Sequence, residues 1–424
     1  VSNASIVNAL NSTNVIVTTT SPGAVAKGNI TVNGTFQGLN ATNLARDVGA
    51  NKTVNISYAL SDTANYTITS VPAANSSTAN ITMAANATWI GGGNATNYSD
   101  SLNWLNGVIA DANNVGNVTI QAGTTAYFDA NARTTSLQSI TGAGAGANFT
   151  QAGSVMNVTG GSGTNVSGFT QTAGLFTGNT NLTTTTAFSQ TGGNISLANG
   201  TVNVTGATNL NNIQAKTIQV AGASITNTGI VQATTTATIN ATTSITNSIN
   251  AIFCGTTGTT VTGGAITNSG TLGCSASATL VTGSSLTSSG SVIGNAVTIN
   301  VTGDLSNSGQ ITSPGNVTVQ AGNISNTAPG NITGSGNTNV TSNGTISNNG
   351  TIGAAGNTSV AGGNITNSAP GGLIGNNNGT TSVTGTSLNN SGTIAGLPIA
   401  INVSGNFSNS GQITSPGNVT VQAG

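Results

Sequence analysis

A six-residue phrase returns ten times between residues 224 and 411, at intervals of 19 to 23 residues. It reads SITNTG (224–229), SITNSI (244–249), AITNSG (265–270), SLTSSG (285–290) and DLSNSG (304–309), then NISNTA (323–328), TISNNG (345–350), NITNSA (364–369), SLNNSG (387–392) and NFSNSG (406–411). A unit this short cannot enclose a core alone, so it must cover the apolar face of the unit beside it, as in a solenoid. The seventeen residues SNSGQITSPGNVTVQAG stand at 306–322 and again at 408–424, an offset of 102 residues that equals five of these steps. Upstream, FTQAG, FTQTAG and FSQTGG begin at Phe149, Phe169 and Phe188 with nearly the same period.

The unit is a strand unit. Gly, Asn, Thr and Ser all propagate helices poorly. Within one period Val317, Val319 and Ala321 alternate with Asn316, Thr318 and Gln320, which is the two-residue period of a strand. Gly322 breaks that run, and Ile324 and Asn326 begin a second short strand. The LxxLxL grammar of a leucine-rich horseshoe is missing. The expected fold is therefore all-β, a right-handed parallel β-helix of roughly 20-residue coils stacked about 4.8 Å apart, with a small β-rich N-terminal module. Residues 114–424 would supply about fifteen coils and a rod on the order of 70 Å long.

The fourth position of each phrase is Asn227, Asn247, Asn268, Ser288, Asn307, Asn326, Asn348, Asn367, Asn390 or Asn409. In a stack these residues form a ladder that faces inward at the strand end. Such a ladder serves buried turn groups; its other reading is a row of ligand-binding amides. Cys254 and Cys274 follow Asn247 and Asn268 by seven and six residues, so they occupy nearly equivalent places on adjacent coils. Stacking brings their Cα atoms to about 5 Å, within disulfide range. A bonded pair implies an oxidising, extracellular setting; the alternative is two free core thiols.

Charge is nearly absent. The chain of 424 residues carries five Lys/Arg, six Asp and no Glu or His. Without a basic patch there is nothing to displace counterions from phosphates, so nucleic acid is excluded as a partner and anionic membranes are disfavoured. The longest apolar runs are a few residues, too short to span a bilayer as a helix. No basic-plus-apolar leader opens the chain, so Val1 reads as a processed or trimmed start. Between residues 134 and 424 the charged side chains are Lys216 and Asp304, which cannot act as paired carboxylates. No His can activate a Ser, and no calcium-binding repeat occurs. The expectation is a non-enzyme without metal or cofactor, with Asp47, Asp62, Asp100, Asp111 and Asp129 as turn residues. Thr-rich runs at 183–188 and 233–243 lack a fixed TxT per coil, as an ice-binding face would need, and read as solvated strand faces.

About three dozen N-x-S/T sequons are the remaining signal. Candidate glycosylation sites include Asn29, Asn33, Asn55, Asn65, Asn80, Asn117 and Asn157, then Asn203, Asn300, Asn316, Asn331, Asn339, Asn364 and Asn418. In a strand such as GNVTV the Asn faces out when the following Val faces in. Sugar would supply hydration that charge does not; a plain polar surface is the other reading.

The phrases NSGTI, NSGQI and GNVTVQAGNISN resemble the β-helix repeats of filamentous-haemagglutinin-like exoproteins, large bacterial adhesins exported by two-partner secretion. SIVNALNSTNVIVTTT…GNITVNG (5–34) is similar to a segment near such coils. DVGANKTVNISYAL…ANYTITS (47–70) resembles a small module inserted between helices of this family. TWIGGGNATNYSDSLNWLNG…NVGNVTI (88–120) is similar to the tryptophan-containing start of a passenger helix, with Trp89 and Trp104 covering the end of the stack. The implied division is a coil segment at 1–36, a β-sandwich-like module at 37–87, a cap with first coils at 88–135, and repeats at 136–424. The family's N-terminal export-recognition domain has no counterpart here, and no Arg-Gly-Asp motif occurs. The resemblance implies a secreted shaft of a cell-surface adhesin or filament, with an outer-membrane secretion partner and with host or surface glycans and proteins as ligands. A self-assembling sheath or matrix fibre, joining copies end to end, is the alternative.

Overall fold

The computed structural model describes residues 83–111 and 113–424 in full and, before them, the backbone of five strands. Ile30–Phe36, Gly49–Leu60 and Ser76–Ile81 form an antiparallel three-stranded sheet, and Ile16–Thr19 pairs antiparallel with Tyr66–Ser70. From Ala84–Trp89 onward the pairing becomes parallel. The chain then winds as a right-handed parallel β-helix of about fifteen coils of about twenty residues, the fold that the period requires.

One coil shows the construction. Val317–Ala321 lies in a first sheet, Ile324–Asn326 in a second and Asn331–Gly334 in a third, before Thr338–Ser342 returns to the first. Each strand pairs in register with its counterpart one coil on, as in Val319↔Val340, Ile324↔Ile346 and Ile332↔Ile352. Alternation sends every second side chain inward, so rows of like residues stack along the axis: Ile299, Val319, Val340, Val360, Val383 and Ile401 in the first sheet, all buried. Each fully buried Val, Leu or Ile contributes roughly 1.5–3 kcal/mol.

Some threonine is inside rather than on the solvated faces. Thr259, Thr279, Thr338, Thr358 and Thr381 are buried at the start of the first sheet. Thr279, Thr338 and Thr381 donate their hydroxyls to Ile293, Gly353 and Ala395 carbonyls at 2.6 Å, serving the corner that joins the third sheet to the first. The glycine of each NSG phrase is also set by packing: a Cβ at Gly309 would collide with the Gly290 carbonyl one coil below.

The upstream coils are filled with larger rings. Phe128, Phe149, Phe169 and Phe188 stack at centroid spacings of 6.5, 5.8 and 5.8 Å. Tyr98 meets Phe128 edge-on at 4.8 Å, and Trp89 and Trp104 pack against Tyr98. These rings cover the first coil, the place assigned to the two tryptophans from sequence. Asp100 and Asp129 hold the covering loop. Asp100 accepts the Asn94 and Leu102 backbone amides, which lower its pKa, and Asp129 accepts the Tyr98 and Asn131 amides. Asp111 is not a plain turn residue: it is fully buried, with Arg133 3.9 Å away.

Burial pushes the Tyr98 phenol above its ordinary pKa near 10, and the Asp111 carboxylate adds to the rise. Only the unfolded chain can release this proton just above pH 10, so the cap keeps its full stability below that pH and loses it as pH climbs further. The Tyr98→Phe variant is expected to retain its near-ultraviolet tryptophan signal to higher pH than the parent. An unchanged alkaline midpoint would refute the assignment.

Candidate functional site

From Asn227 onward the inward end of each second-sheet strand carries an amide, except where Ser288 stands in its place. Asn227, Asn247, Asn268, Asn307, Asn326, Asn348, Asn367 and Asn390 are fully buried, and Ser288 is buried in the same row. Register places them directly above one another. The Nδ2 group of Asn307 donates to Asn326 Oδ1 at 2.8 Å. The pattern repeats from Asn326 to Asn348, Asn348 to Asn367 and Asn367 to Asn390, all at 2.8 Å. Asn227 to Asn247 and Asn247 to Asn268 are 2.9 Å, and Asn268 reaches Ser288 Oγ at 3.2 Å. Asn409 accepts from Asn390 at 2.7 Å but is exposed on the last coil.

The second hydrogen of each Nδ2 goes to a backbone carbonyl at the start of the third sheet one coil on. Asn326 reaches Thr351 O, Asn348 reaches Leu373 O and Asn367 reaches Thr393 O, at 3.0–3.1 Å. One amide thus joins its own coil to the next through side chain and main chain together. It supplies a second donor to a buried carbonyl that the parallel ladder of the third sheet already engages, so both lone pairs of that oxygen are used.

A second set of amides lies upstream. Gln151, Gln171 and Gln190 are fully buried, each two residues after the phenylalanine that marks its phrase. Gln171 Nε2 donates to Gln151 Oε1 at 3.1 Å, and Gln190 Nε2 donates to Gln171 Oε1 at 2.9 Å. These bonds run toward the N-terminus, whereas the Asn bonds run toward the C-terminus. The two runs meet at buried Leu210, which pairs in register with Asn227. Their terminal oxygens, Gln190 Oε1 and Asn227 Oδ1, accept the backbone amides of Asn211 at 3.1 Å and Gly229 at 3.2 Å. The signal for this row was available: Q lies two residues after F in all three phrases, the same inward alternation as N after I.

Cys254 and Cys274 are joined by a disulfide between adjacent coils, with Cα atoms 5.3 Å apart. Lys216 is exposed, and Asp304 accepts the Asn323 amide at 2.9 Å. Among the described residues no three His, Cys, Asp or Glu side chains gather into a metal-sized group. A groove of about 410 Å³ crosses successive coils beside the third sheet, lined by Ser275, Ile293, Thr312, Pro314 and Thr333 with no ionisable side chain.

The sequons sort by face. Asn203, Asn300, Asn316, Asn339, Asn364 and Asn418 are exposed, whereas Asn117, Asn157 and Asn331 are half-buried. Asn29, Asn33, Asn55, Asn65 and Asn80 fall before the fully described part, and Asp47 and Asp62 lie outside the described residues. Compared with known proteins, the chain matches no family model, no curated protein and no solved structure.

Asn348→Ala would strip the ladder partners from Asn326 and Asn367 and remove one of the two donors to the Leu373 carbonyl. At about 1–3 kcal/mol for each of the two buried amides that lose a partner, a loss of at least ~2 kcal/mol is expected in urea unfolding. Asn339→Ala, on the outer face, is expected to fall within about 0.5 kcal/mol of the parent. Equal losses would mean that the ladder adds nothing beyond general packing.

Proposed function

We propose that this chain is the extracellular shaft of a bacterial cell-surface adhesin or surface filament, related in kind to the filamentous-haemagglutinin-like exoproteins and exported through an outer-membrane partner. The shaft does no chemistry. It holds a binding element at a distance from the cell, and sugar on its sequons hydrates a surface that has almost no charge. The observation that carries this reading is the copied cassette, 102 residues that amount to five coils ending in the same seventeen residues. Copying coils changes length and little else, which is useful in a spacer and idle in a catalyst. A crosslink between adjacent coils fits an oxidising exterior.

The second reading is a sheath or matrix fibre in which copies of the chain associate. It is favoured by the outer face of the first sheet, where Thr238, Thr260, Leu280, Thr298 and Thr318 stand in register, uncharged and exposed or half-buried.

Deleting residues 306–407 joins Leu305 to Ser408 and keeps the phrase intact. The variant is expected to fold with the same cooperativity and to be shorter by about 24 Å in solution scattering, five coils at about 4.8 Å each. Cells displaying it should attach to their target surface less well than cells displaying the longer form. Unchanged attachment at every rod length, or hydrolysis of a polysaccharide by the purified chain, would overturn the shaft. Concentration-dependent filaments would favour the fibre.

A further inference from the structure

Alternation alone puts both halves of a strand sequon on the outside. In Asn300-Val301-Thr302 the Asn and Thr are exposed and Val301 is buried, and Asn402-Val403-Ser404 is arranged alike. Ladder asparagines face inward, so the residue two further on would also face inward if the strand continued. None of Asn227, Asn247, Asn268, Asn307, Asn326, Asn348, Asn367, Asn390 or Asn409 begins a sequon. The ladder and sequon asparagines are thus separated in sequence as well as in space, and a glycosyltransferase reading N-x-S/T is offered no ladder amide; Asn349, in the sequon Asn349-Gly350-Thr351, is the described sequon residue whose Oδ1 is buried without a partner.

Hydrogen bonding divides the outward set again. Asn117 Nδ2 donates to Ala85 O at 3.1 Å, Asn157 Nδ2 to Ser136 Oγ at 2.9 Å and Asn331 Nδ2 to Gln310 Oε1 at 2.7 Å. Asn323 Nδ2 donates to Asp304 Oδ1 at 2.9 Å. Each of these nitrogens ties one coil to its neighbour. Asn316 and Asn364 instead use only their carbonyl ends: Asn316 Oδ1 accepts the Asn337 amide at 2.8 Å, and Asn364 Oδ1 accepts the Ser387 hydroxyl at 2.8 Å. The covering loop holds two more of this kind. Asn94 Oδ1 accepts both the backbone amide and the hydroxyl of Thr96, at 3.2 and 2.8 Å, and Asn97 Oδ1 accepts the Ser99 amide at 3.0 Å.

N-glycosylation replaces one hydrogen on Nδ2 and leaves Oδ1 untouched. The amide nitrogen displaces the phosphate from the anomeric carbon of an activated sugar, a nucleotide- or lipid-linked glycosyl phosphate. The N–C bond forms, the C–O bond to phosphate breaks, the phosphate leaves with the electron pair, and one amide hydrogen leaves as a proton. An asparagine that bonds through Oδ1 accepts this change without losing a contact. One that bonds across coils through Nδ2 loses a donor or forces a sugar between strands.

From this we infer that the protein is N-glycosylated selectively on carbonyl-bonded and free outward asparagines. Asn94 and Asn97 carry sugar on the covering loop, and Asn203, Asn300, Asn316, Asn339, Asn364 and Asn418 carry it along the rod. Asn117, Asn157, Asn323 and Asn331 remain bare. The inference rests on the exported reading given above, because that setting brings the chain to a glycosylating machinery.

The test is peptide mapping by mass spectrometry on protein isolated from the cells that make it, with and without chemical deglycosylation. Hexose-sized or larger increments on the first group, at occupancies at least tenfold above those of the second, are expected. Equal occupancy of both groups would overturn the selectivity, and bare peptides throughout would overturn glycosylation itself. Either failure leaves the shaft to be judged separately by the rod-length experiment. Thr302→Ala keeps Asn300 but removes its sequon, and it should abolish the increment on that peptide; persistence of the increment would mean adduct formation without sequon recognition and would also refute the inference.

Discussion

A backbone amide in this rod finds its partner one coil away, about twenty residues along the chain, and each such bond presupposes that the neighbouring coil is in register. The buried amide ladder makes that register costly to change. A slip by one residue would turn Asn348 outward and bring Ser347 or Asn349 into the row, breaking its bonds to Asn326, Asn367 and Leu373 together. Apolar stacking of Ile and Val tolerates many alignments, because it is not directional. The amides supply direction. The disulfide, the buried threonines and the turn glycines can be placed coil after coil because that register holds.

The fold was legible because a period near twenty, with alternation inside it, leaves few architectures open, and the ladder residues stood out at one fixed place in each phrase. Other features were harder to read. The glutamine row was hidden by the larger signal of Phe149, Phe169 and Phe188 two residues before it, so the same inward alternation was visible in letters and assigned to the rings alone. Thr338 and Thr318 have the same composition signal, yet one is buried at a corner and the other exposed. That difference depends on where the coil bends, which no local propensity reports. For the sequons, alternation set the outward direction but not which nitrogen was committed, since the partner of Asn157 lies 21 residues away on another coil.

Near-absence of charge is consistent with such a rod. Stacked coils align like residues in rows, so a charged residue kept at one place in each period would face its own copy about 4.8 Å away. Neutral hydroxyls and amides can instead bond to their copies, as Ser244 does to Ser224 at 3.0 Å. Hydration must then come from groups that are neutral and strongly solvated.

The meeting of the two amide rows at Leu210 behaves like a wall between two domains of opposite polarisation. On either side every side-chain dipole points the same way, and the carbonyl ends of both rows confront each other across one apolar residue. A coil inserted within the asparagine run inherits its neighbours' polarity, whereas one inserted at the wall must choose a side. Lengthening by duplication is therefore easiest downstream of the wall, and the copied cassette lies there, with its asparagines at 307, 326, 348, 367 and 390 all oriented alike.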